Sequence, residues 1–282
     1  MMQKAAASDA DEVIFDLEDA CAVSQKVEAR KTVAQALQSC EFTGGKVRAY
    51  RINGVETPWC YRDLIDVLET SARFVDVVVL PKARTADDVR FVDRLITQIE
   101  QSLKLPVGRI RLEVLIETSK ALLQAEAIAA ASPRLESLIF GVADFAGETG
   151  ARDFRDNHQT TFAFARQHLL TAARAAGIDA IDSVTVQFKD LTRVEADARH
   201  AASLGFDGKW AIHPAQLPAI HDAFTPSAEA LTRAQRIIEA YAKADQQDGL
   251  GAIVIDDEMV DAATLTLERR RLAIAAKARR AG

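Results

Sequence analysis

The chain is poor in the residues that usually announce a redox or zinc centre. Its three cysteines, Cys21, Cys40 and Cys60, lack any C-x-x-C spacing across 282 residues, which points to reduced thiols rather than a disulfide framework. The five histidines form no H-x-x-x-H pair, so a zinc site is not encoded. No apolar run approaches the roughly 20 residues that a membrane-spanning helix needs, and no signal-peptide pattern precedes Ala5–Ala7. Positive charge is not in excess either: 35 Lys and Arg stand against 41 Asp and Glu, a net charge of −6. That balance argues against nucleic-acid and membrane-surface partners, and with the reduced thiols it suggests a cytoplasmic protein.

What is present is a large core and a repeating pattern. Hydrophobic residues make up 49% and charged residues 27% of the chain, enough for one large globular domain plus an appendage. Strand-like runs fall at Glu12–Phe15, Val47–Ile52, Val75–Leu80, Ile110–Ile116, Ser137–Val142, Ile181–Val186 and Lys209–Ile212. Helical patterns fill the intervals at Thr85–Leu103, Ser119–Ala131, Asn157–Ala176 and Thr192–Leu204. Thr85 with Asp88 reads as a helix start, and Gly177 and Gly205 as helix stops. Alternating strands and helices predict an α/β fold with a parallel sheet.

The expected architecture is a (β/α)8 TIM barrel over residues 1–225, with a C-terminal helical extension over 226–282. Only seven strands are legible where such a barrel needs eight, and Met2–Ala7 reads as the tail of a helix. The first strand is expected to be missing from this sequence, upstream of Met1; the alternative is a strand hidden between Asp144 and Ile181. In the extension, Ala228–Gln246 reads as an amphipathic helix, Asp248–Gly251 as a turn, Ala252–Val254 as a short strand and Thr264–Arg280 as a basic helix. Arg269–Arg271 and Lys277–Arg280 are either a solvated face or a patch for the phosphates of a bulky substrate.

Two lone carboxylates mark the expected site. Glu117 in RLEVLIET and Asp144 in LIFGVADF each follow a strand-like run, 27 residues apart, about one strand-plus-helix unit. Both would project from neighbouring strands on the rim where barrel chemistry sits. Without a His or Cys cluster beside them, two carboxylates favour a hard, oxygen-liking cation such as Mg²⁺, with Mn²⁺ as a substitute. Glu117 could instead cap the helix that begins near Thr118. Arg51 lies in an otherwise apolar strand, where an unpaired charge is costly, so Asp16 or Glu18 are alternative structural partners for it. Glu18 and Asp19 are read as holding metal-bound waters or Lys82. A Schiff-base role for Lys82 is disfavoured, because neighbouring acids would keep it protonated. His213 before Pro214 reads as a structural strand-end residue.

Seven segments together resemble the citrate-lyase β-subunit-like (HpcH/HpaI-type) group of acyl-CoA lyases, which includes the malyl-CoA and citramalyl-CoA lyases. They are Phe15–Arg30, Arg48–Gly54, Val78–Ala83, Leu115–Thr118, Ile139–Gly150, Gly205–Gln216 and Phe224–Ser227, in the family's order along nearly the whole chain. The resemblance implies a (β/α)8 barrel, a divalent metal and cleavage of a C–C bond in a 3-hydroxyacyl-CoA. The substrate would be malyl-CoA, methylmalyl-CoA or citramalyl-CoA, giving acetyl- or propionyl-CoA plus glyoxylate or pyruvate. It makes Glu117 and Asp144 metal ligands and Arg51 the contact to carbonyl oxygens. It makes Asp261, in the MVD segment, an acid/base that reaches a neighbouring subunit's site in a homo-oligomer, a trimer or a hexamer.

Three departures stand out. The family's opening strand, with its substrate-binding phenylalanine and arginine, is not in this sequence. Asp256–Asp257–Glu258 stands where relatives more often carry a glycine and a lysine. Ile181–Asp190 differs from the Gly-Pro-type segment common in malyl-CoA lyases. Thioester hydrolysis of malyl-CoA, and a citrate lyase β subunit acting on an acyl-carrier protein, are the competing readings.

Overall fold

A computed structural model describes residues 1–155, 158–248 and 251–281, with the side chains of 158–159, 247–248 and 277–281 outside that description. The chain divides into two compact units, Met1–Ile220 and His221–Gly282.

The first unit is built on seven parallel strands: β1 (Glu12–Asp16), β2 (Val47–Arg51), β3 (Val77–Leu80), β4 (Arg111–Ile116), β5 (Leu135–Phe140), β6 (Asp179–Asp182) and β7 (Gly208–Lys209). Their spatial order is their sequence order, so each crossover returns to the adjacent position. The strands β3 and β4 are almost wholly buried, as expected for a parallel sheet covered on both faces. Ala49, Val77, Val79, Leu115 and Ile139 form one buried cluster, joined by Ile14 of β1 and Ile181 of β6. Residues from both ends of the sheet meet in that cluster only because the sheet curls around its own inner face. Among the described residues β1 and β7 each pair with a single neighbour.

All seven sequence-predicted strands are present, with shifted ends. The run Ser137–Val142 starts two residues too late and ends two too far: β5 begins at Leu135, and Val142 already opens the helix Val142–Thr149. Burial on both sides of the strand–helix junction keeps the apolar run continuous, so periodicity could not place the break. Likewise β6 ends at Asp182, which is fully buried against Lys209 and Arg166. Val184 to Val186 is loop, despite its β-branched residues. The interval between Asp144 and Ile181 holds helices at Val142–Thr149, His158–Thr161 and Ala163–Ala176, and β6 itself; no further strand lies there among the described residues. Asn157, the expected start of the long helix, lies outside the described residues.

Several helix ends carry the local signals expected of them. Thr85 and Asp88 form a capping box on the helix Ala86–Ser102. Gly177 and Gly205 end their helices in the left-handed region, at φ 72° and 105°. The predicted helix Ser119–Ala131 is interrupted at Gln124 into Ser119–Leu123 and Ala125–Ala129. The three cysteines are unpaired thiols, and burial, with Asp63 adding, pushes that of Cys60 up to about 12.

The second unit consists of the helix Ala228–Asp248, a two-stranded antiparallel hairpin and the helix Ala262–Ala281. Its core is Ile237, Val260 and Leu265, flanked by Ile238, Tyr241, Ile253 and Ile255. The expected strand Ala252–Val254 is β8 (Ile253–Ile255), and its partner β9 (Glu258–Val260) was not foreseen. Asp256 and Asp257 join them with φ 51° and 63°, the two positive values of a type I′ turn. Gly249 and Leu250 of the expected turn, and the side chains of Lys277–Arg280, lie outside the described residues.

Because glycine adopts positive φ without steric cost, Asp257→Gly is expected to stabilise this unit by about 1 kcal/mol. Chemical denaturation of the two proteins side by side checks this; a lower midpoint for the variant would contradict it.

Candidate active site

The C-terminal ends of β1 to β5 bring seven of the eight predicted site residues together. Glu117 follows β4 and is 1% exposed. It does not cap the following helix: Thr118 does, accepting a hydrogen bond from Ala121 N at 3.0 Å. The Glu117 Oε1 atom accepts from the backbone N–H of Lys82 at 2.6 Å. Its carboxylate lies in a place that only glycine leaves open. A Cβ on Gly141, at the end of β5, would stand 2.5 Å from Glu117 Cβ and 2.6 Å from Oε2. Burial, with the nearby Asp144 adding, pushes the Glu117 carboxyl up to about 8.

Asp144 lies in the first turn of the helix Val142–Thr149, where an anionic side chain is favoured. Its side chain is 38% exposed, and its Oδ1 lies 3.7 Å from Lys82 Nζ. Lys82 follows Pro81 with φ 53°, a left-handed conformation that costs a non-glycine residue on the order of 1 kcal/mol. That conformation accompanies a double engagement. The amide of Lys82 holds Glu117, while its ammonium donates to Glu18 Oε1 and lies 3.2 Å from Asp19 Oδ1. Burial opposes charge on this ammonium, yet its hydrogen bond to Glu18 and the field of Glu18 and Asp144 raise it above the ordinary lysine value. An amine held protonated in this way cannot act as an imine-forming nucleophile.

Arg51, at the end of β2, is clamped rather than free. Its Nε and Nη2 donate to the two Asp16 oxygens at 2.7 and 2.6 Å. Its Nη1 lies 3.1 Å from Glu18 Oε2, and its guanidinium sits 5.7 Å from the Trp210 ring centroid. The alternative of structural ion pairing is therefore realised in the geometry, and pairing does not consume the side chain. A guanidinium carries five N–H groups, and donors remain for an oxygen ligand. Asp16 also accepts from the amides of Glu18 and Ala20, both at 2.9 Å, so one carboxylate fixes both the arginine and the acidic loop. Burial would raise Asp16, but the Arg51 bonds reverse this and hold it below the usual carboxylate range. Glu18 is 4% exposed, and burial raises it despite Arg51 and Lys82.

A buried polar network beneath this loop escaped the sequence reading. Lys26 Nζ donates to the carbonyls of Leu17 and Glu18 at 2.9 and 3.0 Å, and to Asn53 Oδ1 at 2.6 Å. Asn53 in turn donates to Asp63, which pairs with Arg30 at 2.7 Å. A lysine in a helix pattern looks solvated, and only the tertiary fold turns it inward. His213 behaves as read: its Nδ1 accepts from Ala215 N at 3.1 Å, and its ring stacks on Phe188 at 5.0 Å.

Asp261 belongs to the second unit. Its Oδ1 accepts from the amides of Ala263 and Thr264 at 2.9 and 3.1 Å, capping the helix Ala262–Ala281. Those bonds lower its carboxyl, that from Thr264 N the most.

The donor set fits a hard divalent cation. Glu117 and Asp144 offer carboxylate oxygens and converge on Lys82 at a strand-end rim. Among the described residues no three His, Cys, Asp or Glu side chains form a closed metal cage. Two protein carboxylates are what Mg²⁺ sites use when water or substrate completes the shell. No helix among the described residues is long and apolar enough to cross a membrane.

Known proteins resemble this chain over most of its length. Residues 1–214 match the model of the HpcH/HpaI aldolase/citrate lyase family. The chain is 37% identical over 280 residues to the L-malyl-CoA/beta-methylmalyl-CoA lyase of Rhodobacter capsulatus, covering 94% of this chain and 87% of that protein. It is 35% identical to a (3S)-malyl-CoA thioesterase of Cereibacter sphaeroides, covering 96% and 89%. Among solved structures, the protein CitE of Mycobacterium tuberculosis in complex with magnesium, acetoacetate and coenzyme A superposes with a TM-score of 0.77. That alignment has 32% identity and covers 97% of this chain and 92% of that one.

Proposed function

The chain belongs to the HpcH/HpaI aldolase/citrate lyase family, and from that premise we propose that it is a metal-dependent carbon–carbon lyase. It acts on a 3-hydroxyacyl-CoA such as malyl-CoA, methylmalyl-CoA or citramalyl-CoA. The products are acetyl- or propionyl-CoA and glyoxylate or pyruvate. The observation that carries this reading is the convergence of Glu117, Asp144, Lys82 and the clamped Arg51 on one rim of the sheet.

Glu117 and Asp144 would hold Mg²⁺ (or Mn²⁺), which supplies Lewis acidity toward the oxygens of the oxo-acid fragment. The remaining work falls to the chain itself. Arg51 stays charged at any working pH and is held rigid by Asp16 and Glu18. Its free N–H groups suit a thioester oxygen on which enolate charge develops. Glu18, Asp19 and Lys82 form a charged wall that orders water and the acidic loop. In the synthetic direction Asp261 accepts the proton that leaves the acyl carbon.

Among the described residues β1 and β7 each pair with one neighbour, which supports an eighth strand between them that would complete a (β/α)8 barrel catalytic domain, with the C-terminal unit as a helical extension. A trimer or hexamer working in the cytoplasm would let Asp261 serve a neighbouring subunit. Mixing inactive Asp261→Asn and Glu117→Gln proteins under subunit exchange is then expected to restore partial activity. Exchanged mixtures that stay inactive would count against service between subunits.

Hydrolysis of the thioester is a second reading, favoured by the 35% identity to a malyl-CoA thioesterase. Product analysis separates the two. Incubation with malyl-CoA and Mg²⁺ should release glyoxylate and acetyl-CoA in equal amounts, and EDTA should stop it. Free CoA without acetyl-CoA would make the chain a thioesterase, and turnover unaffected by EDTA would contradict the metal-dependent mechanism.

A further inference from the structure

Within the candidate site five carboxylates, those of Asp16, Glu18, Asp19, Glu117 and Asp144, face two cationic side chains, Arg51 and Lys82. Arg51 is committed, with two bonds to Asp16 and a third contact to Glu18. Lys82 is different. Its side chain is 37% exposed and unbranched, and its ammonium is shared among Glu18, Asp19 and Asp144. It therefore supplies positive charge beside an oxygen that the metal reading gives to Mg²⁺.

We propose that Lys82 is a built-in competitor for the divalent cation, neutralising the cradle beside Asp144 and yielding that position when the metal is taken up. This rests on Glu117 and Asp144 being the metal ligands. Two features make the exchange feasible. The weakest of the three contacts is the one to Asp144, at 3.7 Å, so the ammonium can leave it while keeping Glu18 and Asp19. The backbone of Lys82 is fixed independently through the hydrogen bond its N–H donates to the Glu117 carboxylate, so the stem can swing without disturbing the buried ligand. Lys82 thus acts as a positioning residue: it holds mutually repelling acids together without metal and keeps the affinity for free metal low.

The test is calorimetric titration of the full-length, EDTA-stripped protein with Mg²⁺ alone. Lys82→Met removes the competing charge and is expected to tighten Mg²⁺ binding on the order of tenfold. Lys82→Arg keeps the charge and should stay within about threefold of wild type by the same argument. In EDTA the Lys82→Met protein should melt below wild type, and Mg²⁺ should close that gap. Lys82→Gln, with the same expected sign, serves if the methionine variant does not fold. Unchanged or weaker binding in the uncharged variants is what a merely ordering lysine would give, and it would overturn the proposal. If the wild-type protein takes up no Mg²⁺ at all, the metal reading itself fails and this proposal falls with it.

Discussion

Gly141→Ala is expected to abolish most of the activity while leaving the protein folded. The backbone there, at φ −93° and ψ 80°, does not require glycine, so the effect is one of space alone. The added methyl would stand 2.5 Å from Glu117 Cβ, 2.6 Å from Oε2 and 3.3 Å from Cδ. A Cβ cannot move aside by changing rotamer, so the ends of β4 and β5 must separate and carry the Glu117 carboxylate with them. Overpacking of this kind costs about 1–3 kcal/mol of stability. A displacement near 1 Å at a reacting centre costs about 10²-fold in rate.

Gly147, in the same helix as Asp144, provides the matched control. A Cβ there meets nothing within 4 Å, so Gly147→Ala should be neutral or stabilising by up to about 1 kcal/mol. Steady-state kinetics and thermal melts of both variants check the pair. Wild-type activity in Gly141→Ala would mean that the placement of Glu117 does not matter.

The second large effect is a fall in stability of the metal-free protein as pH rises from about 5 to 8. Burial pushes the carboxyl of Glu117 up to about 8 and that of Glu113 up to about 7, and raises Glu12 and Glu18 as well. In the unfolded chain these groups lose their protons near the ordinary glutamate value of about 4.3. Across the window the folded state therefore binds more protons than the unfolded state, and stability declines with pH. The carboxylates held low, such as Asp16 and Asp182, act with the opposite sign below this window, and His200, lowered chiefly by burial, opposes the trend within it as a single group against four.

Glu117, almost fully buried, dominates, and the loss should be on the order of 3 kcal/mol, or about 6–12 °C in Tm. A bound cation requires the Glu117 carboxylate to be ionised, so the stabilisation by Mg²⁺ should grow through the same range. Thermal melts in EDTA and in excess Mg²⁺ from about pH 5 to 9 measure both slopes. Metal-free stability that is flat or rising between about pH 5 and 8 would contradict the burial of these carboxyls.

The parts of this account legible in the sequence were those written in local chemistry. Thr85 with Asp88 and the stops at Gly177 and Gly205 depend on neighbours a few residues away, and all three appear as read. Glu117 and Asp144 stood out because an acid after a buried strand has few structural uses. The close approach of Gly141 to Glu117 was not legible, because it joins residues that follow two different strands. Nor was the inward turn of Lys26, whose three acceptors come from two separate loops. The hairpin at Asp256 and Asp257 was missed because aspartate is a weaker turn signal there than the Asn-Gly or Asp-Gly pairs that favour a type I′ turn. Strand ends failed where burial on both sides erased the alternation, as at Val142.

The most direct measurement is titration of the metal-free protein with Mg²⁺, compared with a Glu117→Ala, Asp144→Ala double variant, with malyl-CoA cleavage followed in parallel. The wild-type protein should bind one Mg²⁺ per chain and release glyoxylate, and the double variant should do neither while keeping its fold. Equal Mg²⁺ uptake and equal turnover by the two proteins would show that the cation, if used, is held elsewhere, and that these two carboxylates are not its ligands.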